Sequence, residues 1–474
     1  MQRCSGYDAH FIYDERPEEP QHTLKISIFS PEASARHSLE SFKRELRARL
    51  PDIPPLRWRA VRVPLDLYHP VWVDTGEVDL DRHVHRLALP APGGRAELCE
   101  VVSQLASHCL DPRRPLWEIW LLEGFEGGRL VSVLKMSHAL ADGGASRELI
   151  ERLYSSQPLA ETETLPSTPP LVGERVPSKV RLVWDALRDR VRDFFVEIPR
   201  LVGATRRARA RVRTARREGR APESSQLSAL SSPATPFAGP LSRHRGFHYT
   251  TASLGHAKEI ARALDCTIND VVVATAAGGV RRYLGQHGAL PDGPTLGILP
   301  ASIRAEHERG TWGNRISIRT LDLPTHLADP LERLRASQRA ARAVKTDLAL
   351  RQGSNLEDWE RFLPPSVPKT IGRLARTVAR LRPQLPAGVT ISNVAGPPEL
   401  LHTLGGPVEN FISVGHMKYI AGLNITVWSY AGRLNFALYA CAEAVPDLWR
   451  LSDLLAEAFE ELHKAATLPR TADG

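Results

Sequence analysis

At 474 residues, 42% of them hydrophobic and with a formal net charge of +8, the chain reads as a globular protein of two or three units. No apolar run approaches the ~20 residues of a membrane helix, and MQRCSGYDAHFIYDERPEEP at the start holds no apolar signal core. Cys4, Cys99, Cys109, Cys266 and Cys441 are scattered with no CxxC pair, which fits a reducing cytoplasm and argues against a thiolate metal site.

In chain order, Leu24 to Ser30 predicts a strand and Ser38 to Leu50 a helix with a serine start. Val101 to Leu110 is a further helical run. IWLLEGFEGGRLVSVLKM then predicts a hairpin turning at Gly127 and Gly128. Residues 156 to 240 differ in composition. Pro/Ser/Thr-rich stretches, SQPLAETETLPSTPPLVGERVPS and SSQLSALSSPATPFAGP, read as loops. Between them Val180, Val183, Trp184, Leu187, Val191, Phe194 and Ile198 recur at helical spacing, and Ala204 to Arg220 holds eight arginines. The basic run lacks aromatic residues for base stacking, so no nucleic acid is expected. It reads either as a solvated helix face or as a contact to an anionic membrane surface through residues 180–220.

From 241 onward α/β character returns. TINDVVVATAAGGVRRYLGQHG predicts a helix opening at Thr267, TLGILPASIR and NRISIRTLDLP two strands, and NITVWSY and RLNFALYA a hairpin about Ala431 and Gly432. LWRLSDLLAEAFEELHK closes as an amphipathic helix. The expected plan is two mixed α/β halves, 1–155 and 241–474, joined by a linker of basic amphipathic helices over 156–240.

The chemistry centres on KMSHALADGGAS, Lys135 to Ser146. A His four residues before an Asp is a weak pattern, and His10 and Asp14 repeat it. Context separates them. His138 follows an apolar strand and precedes a helix carrying Leu149, Ile150, Leu153 and Tyr154, and a rigid sheet aims a side chain at such a place. Asp142 and Gly143 lie in the turn, where Asp tolerates and Gly permits unusual backbone angles. A neutral imidazole with an unperturbed pKa of ~6.5 can take a proton from an alcohol or amine. No GxSxG elbow supplies a nucleophile and no second His stands at metal-ligand spacing, so no metal is expected. Asp142 either orients the imidazole or holds the loop by pairing with an arginine; the turn carries it away from the strand end, which favours the second.

Ser137-His138-Ala139-Leu140-Ala141-Asp142-Gly143 resembles the H-H-x-x-x-D-G motif of bacterial wax ester synthase/diacylglycerol acyltransferases, within the coenzyme A-dependent acyltransferases of chloramphenicol-acetyltransferase-like fold. Pro115-Leu116-Trp117, Asn269-Asp270, Gly313-Asn314 and the Ser392-Asn393-x-x-Gly396-Pro397 block resemble further family blocks in the family's order, spread from Asp8-Ala9 to the last helix. The resemblance implies an α/β fold of two chloramphenicol-acetyltransferase-like halves, each a mixed sheet flanked by helices, with a tunnel between them. It implies transfer of a fatty acyl group from acyl-coenzyme A, a substrate rather than a cofactor, to a lipophilic hydroxyl acceptor. His138 would be the general base, with Ser137, Asp142 and Gly143 supporting it. Asn269, Ser392 and Asn393 are candidate oxyanion or substrate contacts, set against helix capping for Asn269 and Asp270. Ser137 stands where the family has its first His. Adjacent residues on an extended segment point to opposite sides, so this change is expected to alter acceptor fit or loop packing. A cytoplasmic enzyme touching the membrane or lipid bodies is expected. A condensation-type enzyme using a carrier-bound acyl donor or an amine acceptor, and a non-catalytic acyl- or coenzyme A-binding relative, are the alternatives.

Overall fold

The structure is a computed structural model describing residues 1–157, 170–220, 232–304, 308, 310–352, 354, 356–381, 388–417 and 421–467. Residues 158–169 and 221–231, which hold much of the two expected loops, lie outside the described residues.

Two six-stranded sheets organise the chain. The first runs, edge to edge, His402–Thr403, Gly406–Val414, His22–Phe29, Arg129–Ser137, Trp117–Phe125 and Val84–Ala88. Its pairs are antiparallel except the last, which is parallel. The second runs Ile316–Leu323, Thr295–Ser302, Val389–Ala395, Leu423–Tyr430, Arg433–Cys441 and Arg245–Ser253. Val389–Ala395 lies parallel to both its neighbours.

The local signals act as the residues dictate. Ser38 caps the helix Leu39–Arg49 and Thr267 caps Ile268–Gln286, the latter in a capping box closed by Asp270. Gly127 and Gly128 both take positive φ in the first hairpin, as do Ala431 and Gly432 in the second. Ile268–Gln286 is buried along most of its length beneath the second sheet, packed with the closing helix Leu448–Thr467. Its apolar character reflects the core; among the described residues no single helix is long and apolar enough to cross a membrane.

One feature cuts across the division of the chain at 155 and 240. Gly406–Val414, from the C-terminal third, pairs with His22–Phe29 in the first sheet. A further apolar cluster joins Ile26, Val131 and Val133 of the first sheet to Phe247, Tyr249 and Ala437 of the second. The two halves therefore share a strand and a core. Burying a Val, Leu or Phe side chain is worth about 1.5–3 kcal/mol, so the joint is held by many such contributions.

Candidate active site

Arg129–Ser137 sits inside its sheet, with His22 opposite Ser137 on one side and Trp117 opposite Met136 on the other. Ser137 N–H still donates to Leu116 O at 2.9 Å, and then the chain turns, with Leu140 N–H bonded to Ser137 O at 3.1 Å. His138 stands at that turn with both backbone groups held: its N–H donates to Gln21 O at 2.9 Å and its C=O accepts from Asn314 Nδ2 at 2.7 Å. The ring lies face to face on Phe11, centroids 4.6 Å apart at 6°, and edge-on to His416 at 4.5 Å and 78°. Such ring contacts contribute about 0.5–1.5 kcal/mol each beyond burial. The residue as a whole is half-buried.

Sequence reasoning missed His416. It follows Gly406–Val414, which flanks His22–Phe29 opposite Arg129–Ser137. Those two outer strands run the same way, so their ends, and the two histidines after them, reach the same edge of the sheet. The second sheet fixes the His416 loop: Asn424 Nδ2 donates to His416 O at 2.9 Å and Gly415 N–H to Thr426 Oγ1 at 3.0 Å. A Cβ at Gly415 would come within 2.6 Å of Thr426 Oγ1. The only local signal was an apolar strand ending in Gly-His, the same kind of corner that singles out His138.

Asp142 is buried and spends its oxygens away from the imidazole. One caps the helix Gly143–Leu153, accepting from Ala145 N–H at 2.8 Å. The other accepts from Arg304 Nη2 at 3.0 Å and from Arg315 N–H at 2.8 Å. Gly143 is the first residue of the helix and needs space rather than backbone freedom: a Cβ there would meet Val394 Cγ2 at 2.7 Å.

A second clasp comes from residues that the sequence offered only as family blocks. Asp8 Oδ1 accepts from Asn314 N–H at 3.0 Å and Asn314 Nδ2 at 2.6 Å, and Asp8 Oδ2 accepts from Ser5 Oγ at 2.7 Å. Burial pushes the Asp8 carboxyl up to about 6, against the opposing hydrogen bonds from Asn314 and Ser5. Gly313, at φ +85°, puts its Cα where a Cβ would sit 2.9 Å from Asp8 Oδ2, and its N–H donates to Leu140 O at 3.1 Å. The loop after His138 is thus gripped along its length by Gly313, Asn314 and Arg315.

Ser392 and Asn393 do not act as a pair. On Val389–Ala395, Asn393 lies opposite Val427, on the face that packs on Ile268–Gln286, and its Nδ2 reaches Asn269 Oδ1 at 3.5 Å. Ser392 lies opposite Thr426, on the other face with Val394, which touches Gly143. The structure therefore joins Asn269 to Asn393 and turns Ser392 toward the His138 loop. On the face of the first sheet opposite Ile26, Lys25 donates to Ser413 Oγ at 2.8 Å and lies 5.7 Å from the Trp428 ring. Burial brings its ammonium down to about 7, with Asp142 pulling the other way.

Two cavities flank the helix Gly6–Asp14. One, ≈ 420 Å³, is lined by Ser137, Phe11, Leu110, Leu116, Arg62 and Arg113 among others. The other, ≈ 990 Å³, is lined at the helix's first turn by Gly6, Tyr7 and Asp8 and reaches Gly313 and Asn314. The imidazole is in neither wall, but each wall includes a group that touches its ring or its backbone.

Residues 4–272 match the wax ester synthase/diacylglycerol acyltransferase catalytic domain, and residues 312–463 match the WS/DGAT C-terminal domain. Two Mycobacterium tuberculosis proteins provisionally named diacylglycerol O-acyltransferases are similar along their lengths. One is 35% identical, covering 99% of both chains, and the other 33% identical, covering 98% of this chain and 90% of its own. Among solved structures, the wax ester synthase/diacylglycerol acyltransferase from Marinobacter aquaeolei VT8 superposes with a TM-score of 0.68 at 24% identity, over 99% of this chain and 100% of that one. The first condensation domain of the calcium-dependent antibiotic synthetase gives 0.62 at 15%, over 99% and 97%. The two-sheet fold is shared with both, and with two domain matches and full-length relatives above 30% identity this chain belongs to the wax ester synthase/diacylglycerol acyltransferase family.

Proposed function

We propose that the chain transfers a fatty acyl group from acyl-coenzyme A to the hydroxyl of a long-chain alcohol or diacylglycerol, with His138 as general base. The neutral imidazole takes the acceptor's proton as its oxygen attacks the thioester carbonyl. The tetrahedral adduct collapses, the C–S bond breaks, and the coenzyme A thiolate takes the proton back from the imidazolium. No covalent enzyme intermediate, cofactor or metal takes part in this reading. The observation that carries it is the setting of His138: a half-buried ring on a clamped backbone, at a sheet edge where two histidine corners converge. Asp142 supports the base by holding the loop, since its oxygens are taken by Ala145, Arg304 and Arg315. The pleat favours Ser392 over Asn393 as an oxyanion donor, because Ser392 faces the loop; a well-placed donor is worth about 3–4 kcal/mol.

Donor and acceptor would meet in a tunnel between the halves. Ser137, in the wall of the smaller cavity, would shape the fit of one of them. The enzyme would work at the cytoplasmic face of an anionic membrane or lipid body, touching it within residues 180–220. Exposed apolar side chains such as Trp184 and Phe195 support that contact.

The test is product identification with palmitoyl-coenzyme A and a panel of hexadecanol, dipalmitoylglycerol and hexadecylamine. Ester from one or both hydroxyl acceptors is the expected result. Amide alone, or acyl transfer only from a carrier protein, would overturn it in favour of condensation-type chemistry.

A further inference from the structure

An amphipathic helix on a folded surface ordinarily buries its apolar stripe. Two helical segments here do the reverse. Lys179–Arg192, continued by Asp193–Glu197, turns Leu182, Asp185, Ala186 and Asp193 inward. It leaves Val180, Trp184, Leu187, Val191, Phe194 and Phe195 outside, with Trp184 69% and Phe195 71% exposed. Their spacing forms one continuous stripe, edged by the exposed Arg181, Arg188 and Arg192. Ser366–Leu381 repeats the pattern with Ile371, Leu374, Val378 and Leu381 outside, Leu374 at 64%, and with the exposed Arg373 and Arg380 beside them.

One loop ties the two stripes together. Leu65 and Asp66 both adopt left-handed backbone angles, φ 56° and 49°, which bulky residues rarely take, and Leu65 stands 91% exposed. On one side Arg190 Nε and Nη2 donate to Leu67 O at 3.1 and 3.0 Å. On the other, the Lys369 ammonium pairs with the Asp66 carboxylate. Asp193 closes the link from the inside, accepting from Arg361 Nη2 at 3.0 Å and from the Tyr68 hydroxyl. Leu65 thus stands exposed in the loop that is bonded to both helices.

We infer that these three elements form a single face that docks on an anionic lipid bilayer. The apolar stripes enter the headgroup boundary and the flanking arginines meet the lipid phosphates. A second copy of the chain fits less well, because pairing two such faces would set arginine against arginine. The inference deepens the membrane contact proposed above and rests on that reading, but it moves the contact. The arginine-rich Ile198–Arg217 helix shows no such apolar stripe: Ala208 and Ala215 pack one edge, Arg211 donates to Leu350 O and Gln352 O at the end of Pro330–Arg351, and its other arginines are exposed. Residues just after the first stripe, Arg200 and Leu201, and just before the second, Arg361 and Phe362, line the larger cavity. An apolar substrate leaving the bilayer at this face would meet that cavity.

The experiment is flotation of the full chain with phosphatidylcholine vesicles carrying or lacking roughly 30 mol % phosphatidylglycerol, a fraction chosen to give a strong surface potential. Wild type should float with the anionic vesicles. Trp184→Glu/Phe195→Glu and, separately, Leu374→Glu/Val378→Glu should each lower partitioning about tenfold. Both variants should keep wild-type circular dichroism and wild-type turnover of a detergent-dispersed acceptor. If Leu374→Glu/Val378→Glu floats like wild type while Trp184→Glu/Phe195→Glu does not, the two-helix face is overturned and the membrane reading survives. If wild type floats with neither vesicle, both fall. If wild type is a dimer by light scattering that Leu374→Glu/Val378→Glu dissolves, the face is a self-interface and the inference fails.

Discussion

His10 and His138 each precede an aspartate by four residues, yet the fold gives them unrelated surroundings. His10 and Asp14 lie on one helix, Gly6–Asp14, where that interval puts both on one face; His10 Nδ1 sits 3.7 Å from Glu360 and Asp14 lies 3.7 Å from Arg376. His138 and Asp142 are separated by a turn that follows the strand end at Ser137, so the same interval sends them apart. One lies on Phe11 and His416, and the other goes to a helix start and Arg304. An interval in sequence has no chemical meaning until the backbone between its ends is known.

The largest effect should fall on the proposed base. His138→Ala would remove the proposed proton acceptor and should lower kcat about 10²–10⁴-fold in a thiol-release assay, with the fold retained. Asp142→Ala should act first on stability. It removes a cap and leaves Arg304 without its buried carboxylate, a loss of about 3–5 kcal/mol in urea unfolding. A variant that kept wild-type stability and lost only activity would make Asp142 an orienter of the ring instead.

Lys25 sharpens the electrostatic side of the contrast, since Asp142 is the charge it senses. Burial holds the folded lysine at about 7, whereas its ordinary value is 10.5. Below pH 7 both states carry the charge and the folded state bears its full cost. Between 7 and 10.5 the unfolded chain binds a proton the folded chain has released, so stability rises with pH across that window. Lys25→Met should raise Tm at pH 7 and flatten the difference in Tm between pH 7 and 10. Ser137→His fills part of the smaller cavity; it should shift the KM for the acceptor several-fold and leave kcat within about threefold, as expected for a contact made equally in ground and transition states. The smallest effect on turnover belongs to His10→Ala: unchanged kcat in the thiol-release assay, since its ring meets Glu360 and not the His138 loop.

Local features of the fold were legible. Ser38, Thr267, the Gly127-Gly128 turn and the Ala431-Gly432 turn act over a few residues, and each produced the element its chemistry predicts. The crossing of Gly406–Val414 into the first sheet was not, because an apolar strand carries no mark of its partner until long-range pairing selects one. The same holds at the site. His138 stood out through its own corner, but His416 comes from a loop more than 270 residues downstream in the sequence. Asp8 and Asn314, 306 residues apart, meet only in the fold. Parity could have separated Ser392 from Asn393 in advance, because adjacent strand residues face opposite ways. The outward stripe of Ser366–Leu381 was missed because burial, not periodicity, tells a core helix from a docking one.

The measurement closest to the central claim is free-thiol release from palmitoyl-coenzyme A, with and without hexadecanol, by wild type, His138→Ala and His10→Ala side by side. Alcohol-dependent release by wild type and His10→Ala, with near-complete loss in His138→Ala, is the predicted outcome. Equal alcohol-dependent release by all three proteins would show that the proton leaves the acceptor by another route.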